Sequence, residues 1–177
     1  MTFSPTITKI NANAFNGCTS LVEINFAPEG QLNDILNNAF TGCTGFTGTL
    51  VIPNSVTNIA QAVFKNMSNM SGLEIGTESR LWNVGYDCFN GCNSIANKVV
   101  LPATLTKIGG LAFGGEKKSG AFEIEIHATT VPSTFGTNAF PKNTLKAIYV
   151  PAESVDAYKA LPNLSQYKEK IKAIGSN

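Results

Sequence analysis

The sequence predicts an α/β repeat solenoid, a stack of similar turns that each add one short strand to a parallel sheet. Three observations predict it. Phenylalanines recur at Phe15, Phe40, Phe64, Phe89, Phe113 and Phe140, spaced 25, 24, 25, 24 and 27 residues apart, and self-similarity at a fixed period of roughly 20 to 50 residues marks solenoids and propellers. A short apolar alternation follows the Phe in the manner of a half-buried strand. Pro53, Pro102, Pro132 and Pro151 follow or punctuate these alternations, where a residue without an amide donor ends a ladder and starts a corner. With 177 residues, 43% of them hydrophobic, the chain can build one continuous core that buries about two thirds of its unfolded surface.

Each copy is assembled from two apolar parts around a corner. The corner phrase NAFNGCTSL begins at Asn13, returns as NAFTGCTGF from Asn38 and CFNGCNSI from Cys88, and is worn to AVFKNMSNM from Ala62 and LAFGGEKKS from Leu111. Its Ala, Phe, Cys and Leu are expected to point inward, with the Gly turning the chain. Upstream stand paired apolar residues: Ile7 and Ile10, Leu32 and Ile35, Val56 and Ile59, Leu81 and Val84, Leu105 and Ile108. Downstream come Leu21, Ile24 and Phe26, then Met70, Leu73 and Ile75, and in the last copy Leu145, Ile148 and Val150. Phe46, Leu50 and Ile52, and likewise Ile95, Val99 and Leu101, carry one inserted residue, which explains the alternating period. A unit of about 24 residues with one strand cannot bury its apolar face alone, so the copies must stack with strands parallel at about 4.8 Å.

Leu-x-x-Ile-x-Phe at residues 21–26 matches the leucine-rich-repeat strand signature in spacing and residue class. With the AF-x-GC-x-x-L phrase, the IPNSVTNI connection from Ile52 and the IYVPAESVDAYKA ending from Ile148, the chain resembles the BspA-like leucine-rich repeat family of bacterial cell-surface proteins. The resemblance runs from Ile7 to about Ile174. It implies a right-handed leucine-rich-repeat solenoid with the parallel β-sheet on its concave face and a C-terminal helical cap. Departures from the pattern are Met67 and Glu116 in place of the Cys, Cys88 in place of the Ala, and a loosened fifth copy over residues 114–122.

These readings divide the chain into a solenoid of about six repeats over residues 1–151 and a helical cap over residues 152–177. In the cap a short helix from Ala152 to Leu161 turns Val155 and Tyr158 inward. Beyond it Leu164, Tyr167, Ile171 and Ile174 fall at helical spacing, opposite Gln166, Lys168, Glu169, Lys170 and Lys172. Such a cap shields the last rung. The N-terminus offers no comparable cap.

Composition and motifs exclude several kinds of function. Thirteen basic and twelve acidic residues give a net charge of +1, so no basic field exists to attract nucleic acid or anionic lipid. No apolar run approaches the roughly 18 residues of a membrane span, and MTFSPTITKI lacks the regions of a signal peptide. The resemblance nonetheless implies a cell-surface or secreted protein, with the leader peptide absent from this chain.

Cys18, Cys43, Cys88 and Cys92 admit metal ligation, a disulfide or buried thiols. Neither a His nor a further Cys completes a tetrahedral set, so no metal and no cofactor is expected. Cys18 and Cys43 hold one position in adjacent copies, about 5 Å apart, which permits a bond; Met67 in the same slot points to a modest apolar volume and free, buried thiols. His127 follows FEIEI, yet no Ser-His-Asp order or G-x-S-x-G elbow can be assembled around it. It reads as a strand-end histidine. Glu123 and Glu125 share one strand face and read as solvated glutamates rather than a catalytic pair. The glycines of TGCTGFTGTL lack the Lys-Ser/Thr ending of a phosphate loop and read as corners. No enzyme is expected.

What remains is surface. Strand side chains alternate between faces, which sets Glu23, Asn25, Thr49, Val51, Gly72, Glu74, Lys98, Val100, Glu123, Glu125, Ala147 and Tyr149 outward on the concave sheet. Concave solenoid faces are the usual recognition surfaces of repeat proteins. Ten of them, without Gly72 and Ala147, form the candidate binding set. Trp82 and Tyr86 offer a second patch, with edge packing as its simpler explanation. The resemblance implies a non-catalytic interaction module that attaches to host or matrix proteins; the alternative is a scaffolding solenoid presenting other domains of a longer parent.

Overall fold

A computed structural model describes residues 1–96, 98–115 and 122–176. Glu116 and most of the loosened fifth-copy segment lie outside the described residues. The repeats form two parallel ladders rather than one. The upstream apolar pairs become two-residue strands: β1 (Lys9–Ile10), β2 (Asp34–Ile35), β4 (Asn58–Ile59), β6 (Asn83–Val84), β8 (Lys107–Ile108) and β10 (Thr134–Phe135), hydrogen-bonded in that order. The downstream alternations form β3 (Thr49–Ile52), β5 (Gly72–Ile75), β7 (Val99–Leu101), β9 (Phe122–Ile126) and β11 (Leu145–Val150). β3 pairs with β5, β7 with β9 and β9 with β11, while β5 packs against β7. Both ladders send apolar side chains into one shared core. The upstream segments reach ladder status because each needs only its central Ile, Val or Phe buried and one polar residue beside it, as the Lys9, Asp34, Asn58, Asn83, Lys107 and Thr134 series provides.

The corner phrase explains why the copies stack in register. Asn13, Phe15 and Gly17 donate their amides to the carbonyls of Asn37, Ala39 and Thr41 at 3.0, 2.8 and 2.8 Å, and Asn38, Phe40 and Gly42 repeat this on Gln61, Val63 and Lys65. Alternate amides must therefore face the next copy. Left-handed backbone two residues before the Phe allows it, at Asn13, Asn38, Ala62, Asp87, Leu111 and Asn138. A second left-handed position follows two residues after the Phe, at Gly17, Gly42, Asn66, Gly91 and Gly115. Gly and Asn are the residues that tolerate this conformation best.

Inside the corner the phenyl rings stack. Phe40 and Phe64 lie 5.5 Å apart at 9°, Phe64 and Phe89 5.3 Å at 14°, and Phe89 and Phe113 5.2 Å at 12°. Offset stacking at such separations adds to the burial energy of each ring. The thiol slot lies beside them: Cys43 and Cys92 donate to the carbonyls of Phe15 and Phe64, one copy earlier, at 3.1 and 3.0 Å. All four cysteines are free, and Cys43, Cys88 and Cys92 are buried. Cys18 departs from the expectation. It is exposed, as is Ala14, while Phe15 and Leu21 are only half-buried, because the first copy has one neighbour instead of two.

At that end the strand expected over residues 21–26 makes a single bridge, Asn25 to Thr2. Asn25 exchanges backbone hydrogen bonds with Met1 and Phe3, and the Phe3 ring sits 5.6 Å from Phe15 and 5.3 Å from Phe26. Residues 1–3 thus supply a small aromatic cover that the sequence reading did not assign.

At the other end a 3-10 turn (Ala152–Ser154), α1 (Val155–Lys159) and a longer 3-10 helix (Pro162–Lys170) cross the last rung. Tyr158 and Tyr167 are buried and donate to the carbonyls of Ala128 and Phe140 at 2.9 and 2.6 Å. The helix expected to run on through Ile174 ends at Lys170. Ile171–Ala173 instead forms β12 and pairs with β11 in the register Ile148 to Ile171. A spacing of three between Leu164 and Tyr167 suits three residues per turn, and the open edge of β11 offers Ile171 a full set of ladder partners.

Candidate functional site

The outward rows of the long strands fall where alternation put them. Cα register aligns Thr49 with Gly72 and Val51 with Glu74. It likewise aligns Val100 with Glu125, Glu125 with Tyr149, and Glu123 with Ala147. Val51, Glu74, Val100, Glu125 and Tyr149 therefore occupy the same position on successive rungs. Gly72 is buried under Thr49, whose Oγ1 would lie 2.5 Å from any Cβ added there. Ala147 is also buried, so these two contribute shape rather than contact.

Half of this face is a groove. A cavity of about 340 Å³ crosses four copies and brings together Val51, Glu74, Lys98 and Val100 from the candidate set. Val51 is 54% exposed although it sits mid-strand between buried Leu50 and Ile52. Phe26, Pro28, Glu29, Pro53 and Asn54 complete the walls from the turns that follow the strands. Sequence reasoning missed these wall residues; Pro28, and Pro53 at the end of β3, were the available signal, since a corner that stops a ladder also leaves a step beside it.

The other half is an ion-pair network. Glu125 binds Lys98 through Oε2 and His127 Nε2 through Oε1, the latter at 2.7 Å. The Lys98 ammonium also lies 5.5 Å from the centre of the Tyr149 ring, a cation–π distance. Burial raises the Glu125 carboxyl, but hydrogen bonds from Lys98 and His127 outweigh it and hold the group below the usual carboxylate range. The hydrogen bond to Glu125 raises Lys98 in turn. Glu123 pairs with Lys146 at 2.9 Å, and Lys146 is raised chiefly by that bond. The expectation of two solvated glutamates is thereby corrected: both are half-buried and paired, because lysines on flanking positions reach across the rungs.

Glu23 and Asn25 stand apart at the first rung. Glu23 lies 3.7 Å from the terminal amine and is lowered mainly by its hydrogen bond with Asn25. Trp82 and Tyr86, on the opposite ladder, are 44% and 48% exposed. Tyr86 covers Gly110, whose added Cβ would lie 3.3 Å from the ring.

Reactive chemistry has little to build on among the described residues. No group of three or more His, Cys, Asp and Glu side chains could hold a metal ion. Burial, with Cys18 as a lesser cause, pushes the Cys43 thiol up to about 11, and burial pushes Cys88 up as well, whereas reactive thiols need the opposite shift. No helix among the described residues is long and apolar enough to cross a membrane.

Comparison with known proteins matches this architecture. A leucine-rich repeat protein of T. pallidum, solved by crystallography, superposes with a TM-score of 0.61 at 21% identity, covering 100% of this chain and 83% of that one. A leucine-rich cell surface protein of Faecalibacterium prausnitzii A2-165 aligns at a TM-score of 0.33 and 17% identity over 83% of this chain and 59% of that one. No curated protein sequence matches. The family described as "BspA type Leucine rich repeat region (6 copies)" matches residues 1–119 and 48–163. A six-copy repeat, two parallel ladders and a stacked phenylalanine corner agree with that match, and the chain belongs to the BspA-type leucine-rich repeat family.

Proposed function

We propose that this chain is a non-catalytic interaction module of a bacterial surface or secreted protein. Its strand face binds a protein, in adhesion to a host or matrix component. One observation carries the reading: Val51, a β-branched side chain 54% exposed, forms part of the floor of an open groove on the strand face, while most of its outward neighbours are polar or engaged with one another. Membership of a repeat family whose modules generally bind proteins supports the same conclusion. The binding surface comprises Glu23, Asn25, Thr49, Val51, Glu74, Lys98, Val100, Glu123, Glu125 and Tyr149, with Val51, Glu74, Lys98 and Val100 at its centre.

The test is a binding screen of the full chain against extracellular-matrix proteins and glycans, repeated with Glu74→Lys and Tyr149→Ala. Retained binding of a matrix protein by the parent chain and loss with Glu74→Lys is expected. A screen without a hit, joined to unchanged cell attachment by both variants, overturns the adhesive reading in favour of a scaffolding solenoid.

A further inference from the structure

Charge on the strand face is settled almost everywhere within the chain, and the exception lies in the groove. Glu23, Glu123 and Glu125 each have an ionic partner. Among the described residues Glu74 has none. Lys98, which lines the same groove, is committed to Glu125 and the Tyr149 ring. Glu29 stands at the groove's rim and also lines an adjoining depression with Glu78 and Arg80. Glu29 and Glu78 are likewise outside every ion pair among the described residues. The groove thus combines two exposed or half-exposed valines, Val51 and Val100, with Glu74, a carboxylate that has no ionic partner among the described residues, and with Glu29 at its rim, where Arg80 shares the adjoining depression.

From this charge and shape we infer that the groove takes a basic side chain, Lys or Arg, from an extended polypeptide with apolar residues on either side. The inference rests on the reading of the strand face as the interaction surface and adds the chemistry of its partner. The aliphatic stem of such a side chain lies over Val51 and Val100, as long basic side chains do on apolar surface. Its head group meets Glu74, with Glu29 within the same groove. The partner's apolar residues two positions to either side of the basic residue, which an extended chain turns to the same face, reach the Phe26, Pro28 and Pro53 walls. An acidic segment would meet Glu74 with like charge, while Lys98 in the same groove is already paired with Glu125, a form of rejection that sets specificity.

The test uses the isotope-labelled full chain and three acetylated, amidated peptides: Val-Gly-Arg-Gly-Val, Val-Gly-Gln-Gly-Val and Val-Gly-Glu-Gly-Val. Amide shifts on titration report both affinity and place. The Arg peptide is expected to move Val51, Glu74 and Val100, to bind about tenfold more tightly than the Gln peptide, and to weaken as salt rises. Glu74→Gln should bring the Arg and Gln peptides to equal affinity. If the Glu peptide binds at the same amides as tightly as the Arg peptide, the charge assignment falls while the interaction face stands. Shifts confined to other surfaces, or none with any peptide, overturn the proposal; whether the face binds proteins at all is then decided by the matrix screen and its variants.

Discussion

Asn13, Asn38 and Asn138 hold left-handed backbone that most side chains avoid, and Leu111 holds the same conformation at φ 55° with a branched side chain. A left-handed non-glycine residue costs on the order of 1 kcal/mol, and Asn lowers that cost. Leu111→Asn is therefore expected to stabilise the chain by up to about 1 kcal/mol, read as a rise of roughly 2–4 °C in the thermal midpoint; a fall would mean that the half-buried leucine matters more through packing than through strain. Glu125 gives a pH prediction of definite sign. Its folded carboxyl is held below the ordinary range, so its contribution is fully present above the unfolded value and is lost as pH falls through the lowered folded value. Denaturant midpoints measured between pH 7 and about pH 3 should drop below about pH 4, and Glu125→Gln should flatten part of that drop.

The Phe register and the Gly corners were legible in the sequence because the stacking geometry admits few residue types at those positions, whereas the left-handed Asn positions before the Phe were not assigned. The outward direction of Val51, Glu74, Lys98 and Val100 was legible too, from alternation alone. Which carboxylate stays unpaired was not. That depends on how far Lys98 and Lys146 reach across neighbouring rungs, a property of side-chain direction that spacing along the chain does not encode.

At the scale of elements, the two ends show where pattern reading gives way to competition between partners. Ile171 could continue a helical face, yet the edge of β11 supplies it with a parallel neighbour. An exposed sheet edge invites association, and the three-residue β12 that now forms this edge is short enough to blunt it. The cap is fastened by buried tyrosine hydroxyls, with Tyr167 bonded at 2.6 Å to the carbonyl of Phe140 and its ring 6.1 Å from that phenyl. Tyr167→Phe keeps the ring and leaves the Phe140 carbonyl unsatisfied, a change that costs about 1–3 kcal/mol. Hydrogen exchange should register the loss first in β11 and β12. Equal acceleration across β3 and β5 would contradict a local role for the bond.

Across the whole molecule, each copy touches its neighbours and the core runs as columns: stacked phenyl rings, a thiol or methionine slot, and the Ile and Val rows of two ladders. Such a stack behaves as a sum of repeats and interfaces, so outward positions can vary with little effect on folding. That separation leaves binding to residues that the fold does not need. Attachment of chain-coated beads to an immobilised matrix protein that the parent chain binds, measured for Val51→Lys beside its thermal midpoint, tests that separation. Attachment should fall by about tenfold or more at a midpoint unchanged within roughly 2 °C; full attachment by the variant would contradict a binding role for Val51, and loss of attachment only in proportion to loss of folding would mean that fold and binding share these residues.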